Sequence, residues 1–405
     1  MTILAHAWRN IWRNSRRTWI TVAATSMSTA LMIATYCLMD GMMVKYVEDA
    51  TNMVTGQAQV HAKGWLADRE IYKALADPGR IAKAAEAAGM GAAMRSYGFG
   101  LVSRGMKSAG ASFWGVDPEA ETRWFTLASK VEKGSFLGAR PKRGMVLGRR
   151  LAKSLEARVG SEIVAVVQAA DGSMGNELFT VTGILAMAGD SIDRGAALIH
   201  RDDFRDLFVT GRVHEVAMMA GERMTEPEIR SAMAGAVGGD ELKTWKELNP
   251  MMSDMIEFGR ASIWLFGGIF FLASALGVMN TMLMATYERV REFGILKALG
   301  TSPFRIVRDI EAEAFMLGLV STAIGAAAGG LLSWYFTAHG LDTSRWGVEG
   351  FTSGGIVFDP LWRGRITVST FAGPVVVMWI TCLLAALYPA VKAARLDPVK
   401  AIGHV

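Results

Sequence analysis

The sequence predicts a membrane α-helical protein with four transmembrane helices and a large mixed α/β extracytoplasmic domain between helices 1 and 2. Three observations predict this class. Apolar residues come in four long blocks, basic residues cluster beside the ends of those blocks, and the stretch between the first two blocks alternates strand-like and helix-like patterns. The hydrophobic fraction of 51% and the mean hydropathy of +0.25 agree with a membrane protein.

The four apolar blocks, residues 19–39, 261–287, 314–341 and 366–391, contain no Asp, Glu, Lys or Arg. The shortest holds 21 residues, and at about 1.5 Å per residue it spans roughly 30 Å, the thickness of a bilayer core. The first block exceeds the apolar region of a cleaved signal peptide, and its end at Tyr36–Asp40 lacks a small-residue cleavage pattern. We therefore predict transmembrane helices at residues 18–41, 261–287, 303–338 and 366–391.

The basic residues beside the predicted helices set the expected orientation. Twelve Lys and Arg residues flank the N-terminus, the second-to-third connection and the C-terminus, against three in the loop between helices 3 and 4. The positive-inside rule then predicts both termini in the cytoplasm, with cytoplasmic segments at 1–17, 288–302 and 392–405. Residues 42–258 and the loop 339–365 are expected outside. The net charge of +5 needs no nucleic-acid partner.

Two of these segments have further patterns. Residues 1–17 place Trp8 and Trp12 beside four arginines at helical spacing, which predicts an interfacial helix at the cytoplasmic surface; a plain basic flank is the alternative. The external segment predicts a mixed α/β domain, with a subdomain inserted at about 124–207. Both cysteines fall in apolar blocks, so this domain is expected to fold without disulfides.

Enzyme signatures were sought and are missing from the sequence. There is no Gly-Lys dipeptide and hence no Walker A phosphate loop, no His-Glu-x-x-His, no Cys-x-x-Cys and no Gly-x-Ser-x-Gly. The six histidines are scattered along the chain. We therefore expect no catalytic residue, no metal site and no cofactor in this chain.

The stretch from Gly277 to Pro303 is the most informative part of the sequence. It continues a membrane helix into a charged segment that is expected to end at Gly300, and Ser302-Pro303 are typical of the start of the next helix. Four charges crowd into five residues, while apolar residues recur at three-residue steps. Such a short amphipathic helix is suited to contact a soluble partner. On these residues alone, a solvated helix end without a partner is equally compatible.

Ordered motifs in this stretch, in the third helix and in the C-terminal tail resemble the FtsX-like permease family, the MacB, LolC and LolE type of ABC transporter. A Gly-x-x-Asn in the second helix matches Gly277 and Asn280, and a Glu-Ala pair in the third helix matches Glu313-Ala314. The tail from Pro389 to Ala401 matches the family's ending. The charged segment matches Glu-Arg-x-x-Glu-x-Gly-Ile-x-Lys-Ala-Leu-Gly, and its residues are expected to couple to an ATPase: Glu288, Arg289, Arg291, Glu292, Gly294, Lys297 and Gly300.

Parts of the external domain, such as residues 146–152 and 191–193, also resemble the lipoprotein-releasing LolC/LolE branch. The resemblance implies a non-catalytic permease in the bacterial inner membrane with its large domain in the periplasm. It implies a separate ATPase that carries ATP and Mg, a second permease (identical or paralogous), and lipoprotein or other lipidic cargo. Two alternatives remain: a mechanotransmitter that regulates an external partner such as a cell-wall hydrolase, and a membrane-anchored sensor without an ATPase.

Two sets of membrane residues complete the predicted sites. Ser321, Gly325 and Gly329 lie on one helical face and are expected to let two helices pack closely. Met39, Met43 and Phe266, near the outer ends of helices 1 and 2, are a candidate cargo cavity, because methionine adapts to varied apolar shapes. Ordinary packing of these methionines is the alternative.

Overall fold

The computed structural model describes residues 3–221, 224–346, 352–353, 356–357 and 361–402. The chain divides into two compact units. The first unit comprises residues 1–44, 256–347 and 360–405, and the second comprises residues 45–255 and 348–359.

The helices within the described residues have the following bounds: α1 Ile3–Ile11, α2 Ser15–Ala50, α3 Trp65–Asp68, α4 Pro78–Ala87, α5 Pro118–Trp124, α6 Arg149–Ser154, α7 Asp190–Gly195, α8 Arg201–Phe208, α9 Glu226–Val237, α10 Trp245–Leu248, α11 Pro250–Glu288, α12 Val290–Ala298, α13 Pro303–Ala338, α14 Val368–Ala394 and α15 Pro398–Ile402. Four of them, α2, α11, α13 and α14, are long and apolar enough to cross a membrane. They contain the four apolar blocks of the sequence, apart from a few residues at block ends.

The membrane helices begin and end where local chemistry dictates. The last turn before α13 closes at Gly300, whose φ of +87° suits glycine. Helix α13 then begins with Ser302 in an extended conformation and Pro303 in its first turn. Thr367 caps α14 by accepting a hydrogen bond from the Thr370 backbone N–H at 3.2 Å.

The first unit is held together by a core to which all four long helices contribute. Buried side chains from α2, α11, α13 and α14 meet in one cluster: Val22, Val278, Met282, Ala314, Leu317, Cys382, Ala385 and Ala386. Small residues bring α2 and α13 close: a Cβ on Gly325 would lie 2.6 Å from Thr29 Cβ, and one on Gly329 would lie 3.0 Å from Ala30 Cα. The Ser26 hydroxyl donates across the same contact to the Ser321 carbonyl oxygen at 2.8 Å.

The strands within the described residues are β1 Ala58–His61, β2 Gly91–Arg104, β3 Lys107–Val116, β4 Val131–Gly134, β5 Gly144–Leu147, β6 Glu162–Gln168, β7 Met174–Leu185, β8 Ala196–His200, β9 Glu215–Met219, β10 Glu241–Thr244, β11 Leu341–Asp342, β12 Thr352–Ser353, β13 Ile356–Val357 and β14 Leu361–Trp362. The first ten form one mixed sheet in the order β10-β1-β9-β2-β3-β8-β5-β7-β4, and β6 pairs with both β2 and β7. The last four form two short hairpin-like pairs, β11 with β14 and β12 with β13.

The large sheet of the second unit is covered on both faces. Successive residues of a strand point to opposite faces, and successive residues of β3 and β8 belong to different apolar clusters. Phe113 and Ile199 pack with α6 and α8, whereas Trp114 and Leu198 pack with Trp65 and Ile192. A third cluster joins α4 and α9 to β1 and β9. The sheet is therefore the central layer of this domain.

The sequence-based expectation of a mixed α/β domain is confirmed. The range proposed as an inserted subdomain, about 124–207, contributes β4 to β8, which lie in the same sheet as the strands outside that range. The boundaries of that subdomain stay a prediction. Helix α2 continues beyond the predicted end at residue 41 to Ala50, and Lys45 and Asp49 form an ion pair one turn apart at 2.8 Å in this extension.

Candidate coupling site

Helix α12 is seated in the first unit by its buried face. Arg289, with φ −114° and ψ 14°, interrupts the helical path between α11 and α12. Phe293 then turns inward and packs against Ile306 of α13 and against Ala390 and Ala393 of α14. Gly294, beside Phe293, is also buried. The short helix is thus anchored to two membrane helices through one aromatic side chain.

Arg289 adds a polar anchor next to Phe293. Its Nη1 donates to Glu313 Oε1 of α13 at 2.7 Å, and its Nε donates to Glu292 Oε2 at 2.8 Å. The guanidinium also lies over the Phe293 ring, 5.0 Å from its centroid. The side chains of Arg289 and Glu313 are only 17% and 8% exposed. The structure therefore brings together residues that the sequence had assigned to two separate motifs.

The N-terminal segment supplies a second set of partners to the same carboxylates. Asn10 Nδ2 donates to Glu313 Oε1 at 2.8 Å, Arg13 Nη1 to Glu292 Oε1 at 2.9 Å, and Arg17 Nη1 to Glu288 Oε1 at 2.8 Å. The sequence analysis used Arg13 and Arg17 only as topology signals and as part of a predicted interfacial helix. Arg13 and Arg17 are four residues apart in the sequence, and so are Glu288 and Glu292. This matched spacing is the signal that could have identified the two Arg–Glu pairs.

The electrostatics of this network favour the charged forms. Partial burial would by itself raise the pKa of Glu292, but the hydrogen bonds from Arg289 and Arg13 lower it below its usual value. Burial likewise opposes the charge on Arg289, but its ion pair with Glu313 and its bond to Glu292 raise the pKa of that guanidinium. Glu292 therefore remains ionised near neutral pH.

Lys297 anchors the C-terminal end of α12. Its Nζ donates to the carbonyl oxygens of Ala394 at 2.9 Å and Leu396 at 2.6 Å. These oxygens lie at the C-terminal end of α14, where backbone carbonyls lack helical partners and a positive charge is favourable. Lys297 thus ties α12 to the segment that connects α14 to α15.

With its charges engaged inside the chain, α12 leaves an apolar surface open. Ile295, Leu296 and Leu299 are exposed, Leu299 by 79%, and Phe304 at the start of α13 is 76% exposed. Arg291 is also exposed, as are Glu288 and Glu292 of the charged group. We call Ile295, Leu296, Leu299 and Phe304 the apolar docking surface. The sequence-based prediction that a partner contacts the charged residues stays a prediction.

The remaining predicted residues occupy two regions of the membrane helices. Gly277 and Asn280 lie on an exposed face of α11, and a Cβ at Gly277 would meet no atom within 4 Å. Beside Asn280, the hydroxyls of Thr281 and Thr21 are 2.6 Å apart and join α11 to α2. Ser321, Gly325 and Gly329 face α2, as described above.

The candidate cargo residues differ in exposure. Met43 is buried, and its Cε would lie 2.6 Å from a Cβ built on Gly259 of α11. Met39 is half-buried, and Phe266 is 55% exposed. Phe266 is therefore the residue of the three that is open to a ligand or a second subunit, while Met43 packs inside the unit. Their role in cargo binding stays a prediction.

Comparison with known proteins gives two family matches. Residues 18–236, just over half of the chain, match the family described as MacB-like periplasmic core domain. Residues 264–398 match the FtsX-like permease C-terminal family, and this range contains the candidate coupling site.

Individual relatives agree with these matches. The lipoprotein-releasing system transmembrane protein LolC of Xylella fastidiosa is 23% identical over 400 residues, covering 95% of this chain and 92% of the relative. The macrolide export ATP-binding/permease protein MacB of Marinobacter nauticus is 26% identical over 302 residues, covering 67% of this chain and 40% of the relative. Among solved structures, the periplasmic region of MacB from Actinobacillus actinomycetemcomitans aligns with a TM-score of 0.38 at 11% identity, covering 51% of this chain and 95% of that one. The chain therefore belongs to the family of FtsX-like ABC-transporter permeases that carry a MacB-like periplasmic core domain.

Proposed function

We propose that this chain is the permease subunit of an ABC transporter that uses ATP hydrolysis by a separate ATPase to extract lipoproteins or other lipidic cargo from the bacterial inner membrane. Both termini and α12 face the cytoplasm in this proposal, and the large domain lies in the periplasm. The observation that carries it is α12 itself, a helix anchored firmly on its inner face and apolar on its outer face.

The anchoring makes α12 suitable for transmitting force. Phe293, the Arg289–Glu313 pair and the Lys297 bonds connect it to α13 and α14, so a displacement of α12 must move those helices or break several buried contacts. Hydrogen bonds to charged groups contribute about 1.5–3 kcal/mol each. An ATPase that pushes α12 would therefore move the membrane helices rather than detach α12 from them.

The apolar docking surface is the proposed binding site for the ATPase. Burying a Leu, Ile or Phe side chain contributes about 1.5–3 kcal/mol relative to leaving it in water. The ATPase would bury Leu296, Leu299 and Phe304, while Arg291 contributes an exposed charge at the edge of the contact. In this proposal Glu288, Arg289 and Glu292 serve mainly to hold α12 in place for that contact.

Two arguments support lipidic cargo: the printed name of the relative LolC, a lipoprotein-releasing protein, and the energetics of extracting an acyl chain. Lifting an acyl chain from the bilayer costs about 0.8 kcal/mol per exposed methylene, so extraction needs both an energy source and a second apolar surface. The exposed face of α11, which includes Phe266, Ile269 and Leu272, offers such a surface to cargo or to a second permease.

A substitution in the docking surface tests the coupling. Leu299→Asp and Phe304→Asp place a charge in the proposed contact, and each is expected to weaken binding of the ATPase by about tenfold or more. The measurement is ATPase co-purification, together with ATP-dependent release of lipoprotein from proteoliposomes. The matched control is Met106→Asp, because Met106 is fully exposed in the β2–β3 turn of the external domain. Unchanged ATPase binding in both docking variants would contradict the proposal.

A second experiment separates cargo extraction from force transmission to an external partner. A photo-crosslinking residue at the exposed Phe266 or the half-buried Met39 is expected to trap lipidated cargo and not its unlipidated form. Crosslinks only to phospholipid or to neighbouring helices, with ATPase coupling intact, would favour the mechanotransmitter.

A further inference from the structure

The second unit contains a cavity of about 660 Å³ that no step of the proposed transport cycle uses. Its base is formed by the sheet, through Tyr97, Ser112 and Trp114. Two connecting segments form its walls: residues 49–55, which follow the membrane-spanning part of α2, and residues 247–249, which lead into α11. Its volume lies within the range of about 300–1,000 Å³ that is usual for small-molecule sites.

The carboxylates that line the cavity have hydrogen-bond or ion-pair partners within the chain. Glu215 accepts hydrogen bonds from Arg95 Nη1 at 2.8 Å and Tyr97 Oη at 3.2 Å, and its second oxygen lies 3.3 Å from His61 Nε2. Glu247 pairs with Arg230 at 2.6 Å, and Asp49 pairs with Lys45 at 2.8 Å. Each of the three is therefore engaged by a cation of the chain, and Arg95 is shared between Glu215 and Glu121.

The cations on the cavity wall are less engaged. Among the residues that the structure describes, no carboxylate oxygen lies within 4.0 Å of the Arg69 guanidinium, which sits 5.7 Å from the centroid of the Trp65 ring. Lys243 has only a loose contact with Glu241, at 3.8 Å. Arg69 is held in a left-handed backbone conformation, with φ +49°, by donation of its N–H to the Trp65 carbonyl oxygen at 2.7 Å. Its side chain is thus directed by a defined turn and not by an ion pair.

Apolar side chains form part of the rest of the lining. Met53, Leu66, Trp114, Ile192 and Leu248 line the cavity together. Such a surface gains free energy when it is covered by hydrocarbon or by an aromatic ring, at about 25 cal/mol per Å² of apolar area buried. The cavity therefore combines apolar side chains with Arg69, which has no carboxylate partner among the described residues, and with Lys243, whose ion pair with Glu241 is loose at 3.8 Å.

We propose that this cavity binds a small anionic amphiphile. The anionic group, a carboxylate or a phosphate monoester, is bound by Arg69 and Lys243, and a short hydrocarbon body lies against Met53, Trp114 and Ile192. The buried polar group at the base, Glu215 with Tyr97 and Arg95, is fully occupied by its own bonds and keeps the base rigid. The enclosure by the two connecting segments favours a small molecule over a macromolecular surface.

Photoaffinity labelling of the full chain in nanodiscs of zwitterionic lipid tests this site. Three diazirine probes of equal chain length are compared: a decanoate, a decyl phosphate and the neutral decanol. Peptide mapping is expected to locate adducts of either anionic probe on residues 49–55 or 97–114, with at least fivefold less labelling by the alcohol.

Two variants and one control complete the experiment. Arg69→Gln combined with Lys243→Gln removes both cations and is expected to lower labelling by the anionic probes about tenfold. Ser191→Trp fills the cavity from an exposed position on its wall and is expected to abolish cavity adducts with all three probes. Arg140→Gln combined with Lys142→Gln removes the same charge from an exposed loop of the same unit and should leave labelling unchanged.

Equal labelling by the charged and neutral probes, or labelling that neither variant reduces, would overturn the proposal. Adducts confined to the membrane helices α11, α13 and α14 would do so as well, because they would show partition into lipid only.

Discussion

Removal of the Glu313 carboxylate is the sharpest test of how α12 is anchored. In Glu313→Ala, Arg289 loses its 2.7 Å bond and Asn10 its 2.8 Å bond, while Arg289 keeps Glu292 at 2.8 Å. Breaking a fully buried ion pair costs about 3–5 kcal/mol. That range is an upper limit here, because Arg289 is 17% exposed and retains one partner. For the anchoring of α12, the relevant loss is the one charge-assisted hydrogen bond between Arg289 and Glu313, which contributes about 2 kcal/mol.

This loss should appear as faster local opening of α12. A decrease of about 2 kcal/mol in opening free energy corresponds to roughly 30-fold faster amide exchange. Hydrogen–deuterium exchange of the peptide covering residues 290–298, measured on the full chain in nanodiscs, is the assay. The exposed Arg291→Ala is the control and should leave exchange unchanged. The double variant Arg289→Met with Glu313→Leu should recover most of the protection, because it leaves no unpaired buried charge. Wild-type exchange in Glu313→Ala would refute the anchoring argument.

Three further predictions concern stability and topology. Burial would by itself raise the pKa of Glu215, but its bonds to His61 and Arg95 lower it to about 2 from 4.5. The contribution of Glu215 to the free energy of unfolding is therefore complete above about pH 4.5 and is lost as the pH falls toward 2. Urea titrations followed by tryptophan fluorescence should show this loss, and the acid dependence should be smaller in Glu215→Gln. Gly325→Ala should lower the thermal unfolding temperature, because the new Cβ would lie 2.6 Å from an atom of α2, whereas Gly268→Ala, with no atom within 4 Å, should not. Single cysteines at the exposed positions Ser15 and Ser173 should react oppositely with an impermeant thiol reagent in spheroplasts, with labelling only at Ser173; labelling only at Ser15 would reverse the orientation.

Several local elements of the second unit match patterns that are visible in its sequence. Helix α4 begins behind Asp77, whose side chain accepts from the Arg80 N–H, with Pro78 in its first turn, as its capping pattern indicates. Strands β6 and β7 lie where alternating apolar residues flank Asp171-Gly172-Ser173.

Other elements of the same domain escaped prediction. The first half of β2, Gly91–Ser96, was not predicted because glycine and alanine have low strand propensity; tertiary pairing with β9 makes it a strand. Strand β8 is short and was also missed, since its parallel pairing with β3 is set by residues about 80 positions away.

At the candidate coupling site, the motif did not indicate the contacts that its residues make within the chain. Glu288, Arg289 and Glu292 were expected to face a partner, and the structure gives each of them a partner inside the chain. The spacing of charges along one helix cannot show whether a side chain 270 or more residues away in the sequence lies opposite, as Arg13 and Arg17 do. The apolar residues of α12 had been noted as a periodic pattern, but which of them would be buried depended on where α13 and α14 pack.

Composition and periodicity by themselves determined that this is a four-helix membrane protein with a large α/β domain, because block length and residue spacing are local properties of the chain. Tertiary structure alone decided that Phe293 is buried while Leu299 and Phe304 are exposed, that Arg289 pairs with Glu313, and that two connecting segments enclose a cavity beside Arg69. The physical reason is common to all three. Burial, ion pairing and enclosure are properties of surfaces that distant segments create together, and no single segment contains them.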